Sequence, residues 1–549
     1  MKKLFFLFAM IICGTEYIKA QEKLIYHEIK TDDQGQILPW YNDDPGVSYD
    51  HVIGLVWDFW INMRTDINGI PYYFNHQVWD EPLNDKRGLG GDQLNMALSS
   101  WQLLYQYSGD EEVKQNMAFI ADYYLSHSLS DPDHEWPNVP YPYNNLIYSG
   151  IYDGDMIIGK GFFQPDKAGA FGSELVNLYK LWSKEDYPNE THITYLKAAI
   201  EIANTLASHI IDGDYDHSPL PFKVHTKTNE VGPLREGNWG DQSIKNIGRS
   251  SYTTNWAGTL ELFEKLIDLN HGKVALYREG YQKIIQWMKA YPMKNNRWGP
   301  FFEDIPGWSD TQINAMTWAR FIMTHREDFP NWKSDVKSII DWVNMELGND
   351  TWKKYGVITI DEQTAYKAPG NSHTARQAAD ELMYYSLIGK RDVFPAKVRQ
   401  LNWATYMVDH DGKNFYPTNA VWLTDGYGDY VRHYLRAMDA HPEIAPNENH
   451  ILSTTSTVSE AKYDAEIDRF TDPTLDRDVS HQAIVFYRTY DKEGVEKIRL
   501  VEKPNEVLLD GEPIKELKKL TTQGYTWTSL SKGGFIEIKR TSGNQIIIK

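Results

Sequence analysis

Gly370-Asn371-Ser372-His373-Thr374-Ala375 opens a segment that runs through Leu382 and Leu387 to a polar stop at Gly389-Lys390. The order is a Gly- or Asp-rich opening, small residues in the first turns, then Leu and aromatic residues. It recurs in Gly91-Asp92-Gln93 to Ser108-Gly109-Asp110, and in Gln164-Pro165-Asp166-Lys167-Ala168-Gly169-Ala170 to Leu181. A weak recurrence every ~60 to 90 residues is the mark of a helical-hairpin array. From Ser48 to Met438 apolar residues fall at i, i+3, i+4 and i+7 in twelve segments, from Tyr49–Met63 to Tyr427–Ala437 and including Tyr252–Leu266. Twelve helices make six hairpins. Small residues let the recurring helices crowd toward an axis, and the longer, more charged helices between them fit an outer ring. The expected fold is mainly α, an (α/α)6 toroid. The connections into the inner helices are long and rich in Gly, Trp, Tyr, Asn and Arg, so function is expected on that face.

After Pro442 the pattern changes. The Ser/Thr stretch Ser453 to Ser459 precedes alternating segments such as Ala483–Tyr487, Phe535–Lys539 and Gln545–Ile548, punctuated by Asp510-Gly511, Gly533-Gly534 and Ser542-Gly543. These are strand and turn signals, and they predict a small C-terminal β-sandwich. The expected boundaries are a signal peptide over 1–20, the toroid over 21–445 and the β-sandwich over 446–549.

Met1-Lys2-Lys3, the apolar run Leu4 to Cys13, and Ile18-Lys19-Ala20 before Gln21 follow the order of a cleaved signal peptide. A secreted or periplasmic product is expected. The single cysteine, Cys13, falls in that leader, which leaves no thiol nucleophile, disulfide or thiolate metal site in the mature chain. A net charge of −20 over 549 residues argues against nucleic acid and anionic membranes as partners. No later apolar run is long enough to span a bilayer. The chain holds 19 Trp and 35 Tyr, and flat rings of this kind stack on sugar faces as readily as they fill a core.

Within this acidic chain, the openings of the inner helices gather Lys160, Lys167, Arg235, Arg249, Arg376 and Arg432, near His134, Tyr141, Tyr143, Tyr252, His373 and His433. Planar guanidiniums in one set of loops match a carboxylate or sulfate, so the expected partner is an acidic oligosaccharide or polysaccharide. A uronic acid permits β-elimination, because its carboxylate makes the C5 proton abstractable once the developing negative charge is neutralised. That chemistry needs a base, an acid for the C4 oxygen and a cation on the carboxylate. His373 with Arg376, and Arg249 with Tyr252, each stand at i, i+3 and are the catalytic candidates. Asp92 and Asp166 offer a paired-carboxylate alternative, although Asp at a helix start is also the ordinary N-cap. His134, Trp136, Tyr143, Lys167, Arg235, Trp239, Arg432 and His433 are the substrate-binding candidates, with Trp308 and Trp422 as further stacking rings. Asp212-Gly213-Asp214-Tyr215-Asp216-His217 and Tyr152-Asp153-Gly154-Asp155 suggest calcium only weakly, since neither has a twelve-residue loop with its closing Glu. No cofactor or metal is expected.

A toroid with a β appendage resembles the six-hairpin carbohydrate enzymes: unsaturated glucuronyl and rhamnogalacturonyl hydrolases and the (α/α) polysaccharide lyases. Gly91-Asp92-Gln93 through Tyr107-Ser108-Gly109-Asp110 is similar to the hydrolases' first catalytic-Asp helix, and Asp166 sits where their second Asp would. Gly248-Arg249-Ser250-Ser251-Tyr252 and Ser372-His373-Thr374-Ala375 fall where those families carry a substrate-binding Arg and a Ser/Thr-rich helix start. Lys167 after Asp166 and the lack of an Arg-Gly-x-x-Trp element depart from the hydrolases. The mixture looks most like the lyase or oligosaccharide-dehydratase side, of the kind that degrades ulvan. The resemblance implies elimination of water or an alcohol from a uronate-containing oligosaccharide, leaving a 4,5-unsaturated uronate. Hydrolysis of an unsaturated uronyl end, and sugar binding without catalysis, are the alternatives.

Overall fold

Small side chains at the starts of alternate helices set the architecture. The structure, a computed structural model, describes residues 22–65, 69–75, 91–142, 159–182, 191–236, 245–301, 308–365, 367–417, 419–423, 427–466 and 482–549; the expected signal peptide lies outside them. Six helices, called here the first to sixth inner helices, are Gly91–Ser108, Pro165–Trp182, Ala257–Asp268, Gln312–Thr324, Asn371–Leu387 and Tyr427–Ala440. Each packs on the next, and the sixth packs on the first, which closes a ring. The approach is close where glycine allows it. A Cβ on Gly169 would overlap the Thr259 side chain, one on Gly258 would stand 2.7 Å from the Ala170 Cα, and Gly428 lies against the Ala97 backbone.

The outer ring is Pro45–Ile61, Glu111–His127, Thr191–His209, Val274–Ala290, Trp332–Glu346 and Phe394–Thr405. Each of the last five follows an inner helix and packs on it, while Pro45–Ile61 packs on the sixth inner helix. Val274–Ala290 shows why they stay outside: Tyr277, Tyr281, Ile284, Ile285 and Met288 form one buried stripe on an otherwise polar helix. The link from the first inner helix to its partner is Gly109-Asp110. Gly109 adopts φ 68°, and the Asp110 carboxylate accepts from the Glu112 N–H at 2.8 Å. The connections at the other end run over residues 128–164, 210–256, 291–311, 347–370 and 406–426. The face formed by the inner-helix N-termini is therefore the long-loop face.

The predicted helix over Tyr252–Leu266 begins later, at Ala257. Thr253 and Thr254 donate their hydroxyls to the carbonyls of Pro300 and Trp298, and the Trp256 indole donates to the Thr253 carbonyl, which holds residues 251–256 out of the helix. Arg249 ends the strand Lys245–Arg249, paired with Pro233–Glu236. The expectation that Arg249 and Tyr252 share a helical face is thus corrected.

From His450 the chain is β. One sheet has the order His450–Thr454, Gly494–Leu500, Gly534–Arg540, Gly524–Ser529; the other has Val458–Glu466, Gln482–Thr489, Gln545–Ile548, Val507–Leu509, Glu512–Pro513. Their inner faces share one apolar core that includes Ile451, Val485, Ile498, Ile536 and Ile546. The sheets meet the C-terminal halves of the inner helices. Tyr105 donates to the Ser459 carbonyl at 3.2 Å, and Lys497 pairs with Asp439 at 3.0 Å. The long-loop face is left to the opposite end.

Candidate functional site

At the long-loop face the first turns of the fifth and sixth inner helices meet around one carboxylate. Asp429 accepts from Ser372 and Arg376 on one oxygen, and from Arg432 (Nε, 2.9 Å) and His433 (Nε2, 3.2 Å) on the other. The network reaches the fourth and first helices: Arg376 donates to Gln312 Oε1 at 2.7 Å, and Arg432 to Ser99 Oγ at 2.8 Å. Burial opposes the charge on Asp429, yet Arg376 and Arg432 outweigh it and hold the carboxyl well below the usual range. Burial pushes His433 down so that it stays neutral. Its bond to Asp429 then places the proton on Nε2 and leaves Nδ1 bare.

His373 is 6% exposed, and neither ring nitrogen has a hydrogen-bond partner among the described residues. Burial, reinforced by the Arg376 charge and only partly offset by Asp429, brings its pKa down to about 3. Gly370 sits so close that a Cβ there would overlap His373 Nδ1. The imidazole is therefore neutral at pH 7 and able to accept a proton from a ligand.

A second cluster forms at the head of the second inner helix. Asp166 is fully buried; its Oδ2 accepts from Lys167 Nζ at 3.0 Å and Asn255 Nδ2 at 2.9 Å, while Oδ1 has no partner. The Lys167 ammonium lies 3.2 Å from the Phe301 ring centroid, and Asn95 Nδ2 donates to the Lys167 carbonyl. Asn95, Tyr141, Gln164 and Lys167 line a small cleft here. The oxygens of Asn95 and Asn314 that face away from their bonds are also unpartnered. Asn95, Asp166, Asn314, His373 and His433 thus bring buried, unsatisfied polar atoms from five of the six inner helices to one end of the ring. Such atoms are uncommon in folded proteins, and each calls for a partner such as a ligand or an ordered water.

At the rim, the Arg297 guanidinium lies 4.1 Å from the Trp308 ring, 4.3 Å from Tyr215 and 4.6 Å from Tyr252. Trp308 is 38% exposed and is held by its indole N–H on Asp310 at 2.9 Å.

The structure thus brings His373, Arg376, Arg432 and His433 together, and Asp166 with Lys167. It does not bring Arg249 or Tyr252 to either cluster. The Arg249 side chain is 58% exposed and bound to Glu230 at 2.9 Å, and the Tyr252 hydroxyl donates to the Arg297 carbonyl at 2.8 Å. The guanidiniums expected to gather here are partnered: Arg249 pairs with Glu230, and Arg376 and Arg432 share the one carboxylate of Asp429. Trp136 is a packed ring, stacked on His209 at 3.7 Å, and cannot offer that face to a sugar. His134 and Tyr141 both meet Thr226 Oγ1, and Lys160 is exposed in the turn before the second inner helix. Tyr143 and Trp239, the side chains of Asp92, Arg235 and Trp422, and the Tyr152–Asp155 stretch lie outside the described residues. Asp214 serves as a turn cap, accepting from the Asp216 and His217 N–H groups. Among the described residues no group of three or more His, Cys, Asp and Glu is placed to hold a metal ion, and no helix is long and apolar enough to cross a membrane.

Asp429, Gln312, Asn255 and Asn314 were missed by sequence reasoning. Gly428-Asp429 repeats the Gly-Asp opening of Gly91-Asp92, and that signal would have found Asp429.

The ring is similar in fold to a sugar epimerase from a ruminal bacterium. The two share 12% sequence identity over 71% of this chain and 98% of that one, with a TM-score of 0.50. A cellobiose 2-epimerase from Spirochaeta thermophila DSM 6192 aligns at 14% identity, 72% and 96% coverage and TM-score 0.48. A family 88 glycosyl hydrolase from Bacteroides vulgatus aligns at 10%, 72% and 99%, and 0.41. At such identities the likeness is one of fold. No family model matches the sequence, and no curated protein matches it.

Proposed function

We propose that the chain is an exported carbohydrate-active enzyme that acts on uronate-containing, ulvan-type oligosaccharides by β-elimination, with His373 as the base. The observation that carries the reading is His373: a buried, neutral imidazole with both nitrogens unpartnered, at the end of the ring where other polar atoms await a ligand. In this reading His373 takes the C5 proton, the C5–H electron pair becomes the C4=C5 double bond, and the C4–O bond breaks as the protonated His373 returns that proton to the C4 oxygen, which leaves as water or an alcohol. Burial and Arg376 make His373 a weak base in the free protein. A substrate carboxylate placed beside it would raise its proton affinity, so base strength would be coupled to binding of an acidic sugar. Arg376, one turn from His373, is the cation nearest that carboxylate in this reading, and Lys167, paired with Asp166, lies in the second cluster. The sugar epimerase likeness agrees with a sugar ligand but reaches no further than the fold.

A second reading, hydrolysis by paired carboxylates, is favoured by one observation, the unpartnered Oδ1 of Asp166. Absorbance at the unsaturated-uronate band during incubation with uronate oligosaccharides tests both. A rise is the expected result; a fall on already unsaturated substrates would replace elimination with hydrolysis, and silence would leave only binding.

A further inference from the structure

Below the long-loop face, charge continues into the interior of the ring. Arg320 is on the fourth inner helix, Arg376 and Asp380 on the fifth, and Asp429, Arg432 and Arg436 on the sixth. Arg376 and Asp380 are four residues apart, as are Arg432 and Arg436, so each pair shares one face of its helix. The carboxylates are committed elsewhere: Arg320 donates to Asp380 Oδ1 at 3.1 Å, and Arg376 and Arg432 both bind Asp429. Among the described residues Arg436, which is half-buried, makes no hydrogen bond and no ion pair.

Four guanidiniums face two carboxylates, an excess of two positive charges. The opposite wall brings Glu174 from the second inner helix and Glu261 and Lys265 from the third, which still leaves five cations against four carboxylates. Burial, together with Arg320 and Arg432, depresses the proton affinity of Arg436 against the pull of Asp380 and Asp429, and burial raises that of Glu174. An uncompensated charge inside a protein is costly, and the ordinary remedy is a counter-charge.

We propose that the interior of the ring binds one small inorganic anion, chloride or a tetrahedral oxyanion such as sulfate, on Arg436 together with Arg320 and Arg432. The guanidinium fork suits either anion. Arg432 is shared with the Asp429 network, whereas Arg436, two turns deeper in its helix than Asp429, belongs to the anion site alone.

Thermal melts of the full chain at equal ionic strength, with chloride, sulfate or the bulky sulfonate HEPES as the anion, test it. The expected result is a saturable rise in Tm of about 2 °C or more in chloride or sulfate over HEPES, as mass action requires of a ligand bound only by the folded state. The arm that saturates at lower concentration identifies the anion. Arg436→Met should abolish the rise. Equal Tm values in all three salts, or the same rise in Arg436→Met, would overturn the proposal. Where that variant fails to fold, bromide diffused into crystals of the unaltered protein should give an anomalous peak beside Arg436, and its absence from the ring interior would overturn the proposal equally.

Discussion

His373 stands one helical turn before Arg376, and that guanidinium, after burial, is the main reason the imidazole is neutral. The pair therefore combines a bare nitrogen with a fixed positive charge at the mouth of the ring. His373→Ala should lower the elimination rate by roughly 10² to 10⁴-fold, the usual worth of a positioned proton-transfer group, in a single-turnover absorbance assay. Asp166→Asn should slow turnover less than His373→Ala does. The reverse ranking would move the chemistry to the carboxylates.

Tyr252→Phe separates the rim from the site. Its hydroxyl donates to the Arg297 carbonyl, and burial raises its pKa, so it is a packing and hydrogen-bonding group. The substitution should cost about 1 kcal/mol of stability and change the rate constant by less than threefold. A rate loss of a hundredfold with an unchanged melt would restore Tyr252 as a proton donor.

Five histidines illustrate the pH dependence of stability. Burial holds His27 and His441 at about 4, and His373 and His450 at about 3, all below the ordinary 6.5. Their neutral forms stabilise the fold fully above about pH 6.5, and that contribution is lost as pH falls from there toward the folded values, because the unfolded chain takes up protons first. His325 has the opposite sign. Burial lowers it, but the Glu264 partner outweighs burial and raises it to about 9, so its contribution is present below 6.5 and is lost as pH rises through about 9. Tm should fall steadily from pH 6.5 to 4. His450→Gln, remote from the long-loop face, should make that fall shallower; a Tm independent of pH over this range would contradict the burial of these rings.

The period of the apolar residues and the glycines of alternate helices made the ring legible, because both are local properties of the chain. Thr253 and Thr254 show where locality ends. Nothing near them in sequence announces the carbonyls of Pro300 and Trp298 that hold them extended, so the helix begins five residues later than the apolar period predicts and leaves Tyr252 outside it. The site shows the same division. His373, Arg376, Arg432 and His433 stood out as residue types at helix openings, whereas their organiser, Asp429, meets Arg376 across 53 positions of sequence. Whether a guanidinium is free or neutralised depends on such distant partners.

Ring closure puts a steric demand on Gly428, whose Cα hydrogen lies against the Ala97 backbone between the sixth and first inner helices. Gly428→Val should force those helices apart and cost about 1–3 kcal/mol or more. Gly54, with nothing within 4 Å of an added Cβ on an outer helix, is the control: Gly54→Ala should be neutral or raise Tm, since alanine favours a helix by about 1 kcal/mol. Comparable losses in the two variants would mean that the close approach is not what the glycine serves.

Asp429 provides the most stringent test, because two guanidiniums depend on it. Asp429→Asn keeps the shape and removes the charge, which leaves Arg376 and Arg432 buried with neutral partners. Breaking a buried pair in this way costs about 3–5 kcal/mol, and a loss of unfolding free energy of that size is expected. Adding Arg376→Met to the same protein should recover part of the loss, since a well-packed apolar side chain replaces one uncompensated cation. The two single variants and the double variant form a cycle, and their non-additivity reads the coupling between the residues directly. Activity should not return with stability, because the double variant still lacks the charges that orient the mouth around His373. If the double variant is no more stable than Asp429→Asn, the carboxylate does not hold Arg376 in solution. If its activity recovers, His373 works without the network assigned to it.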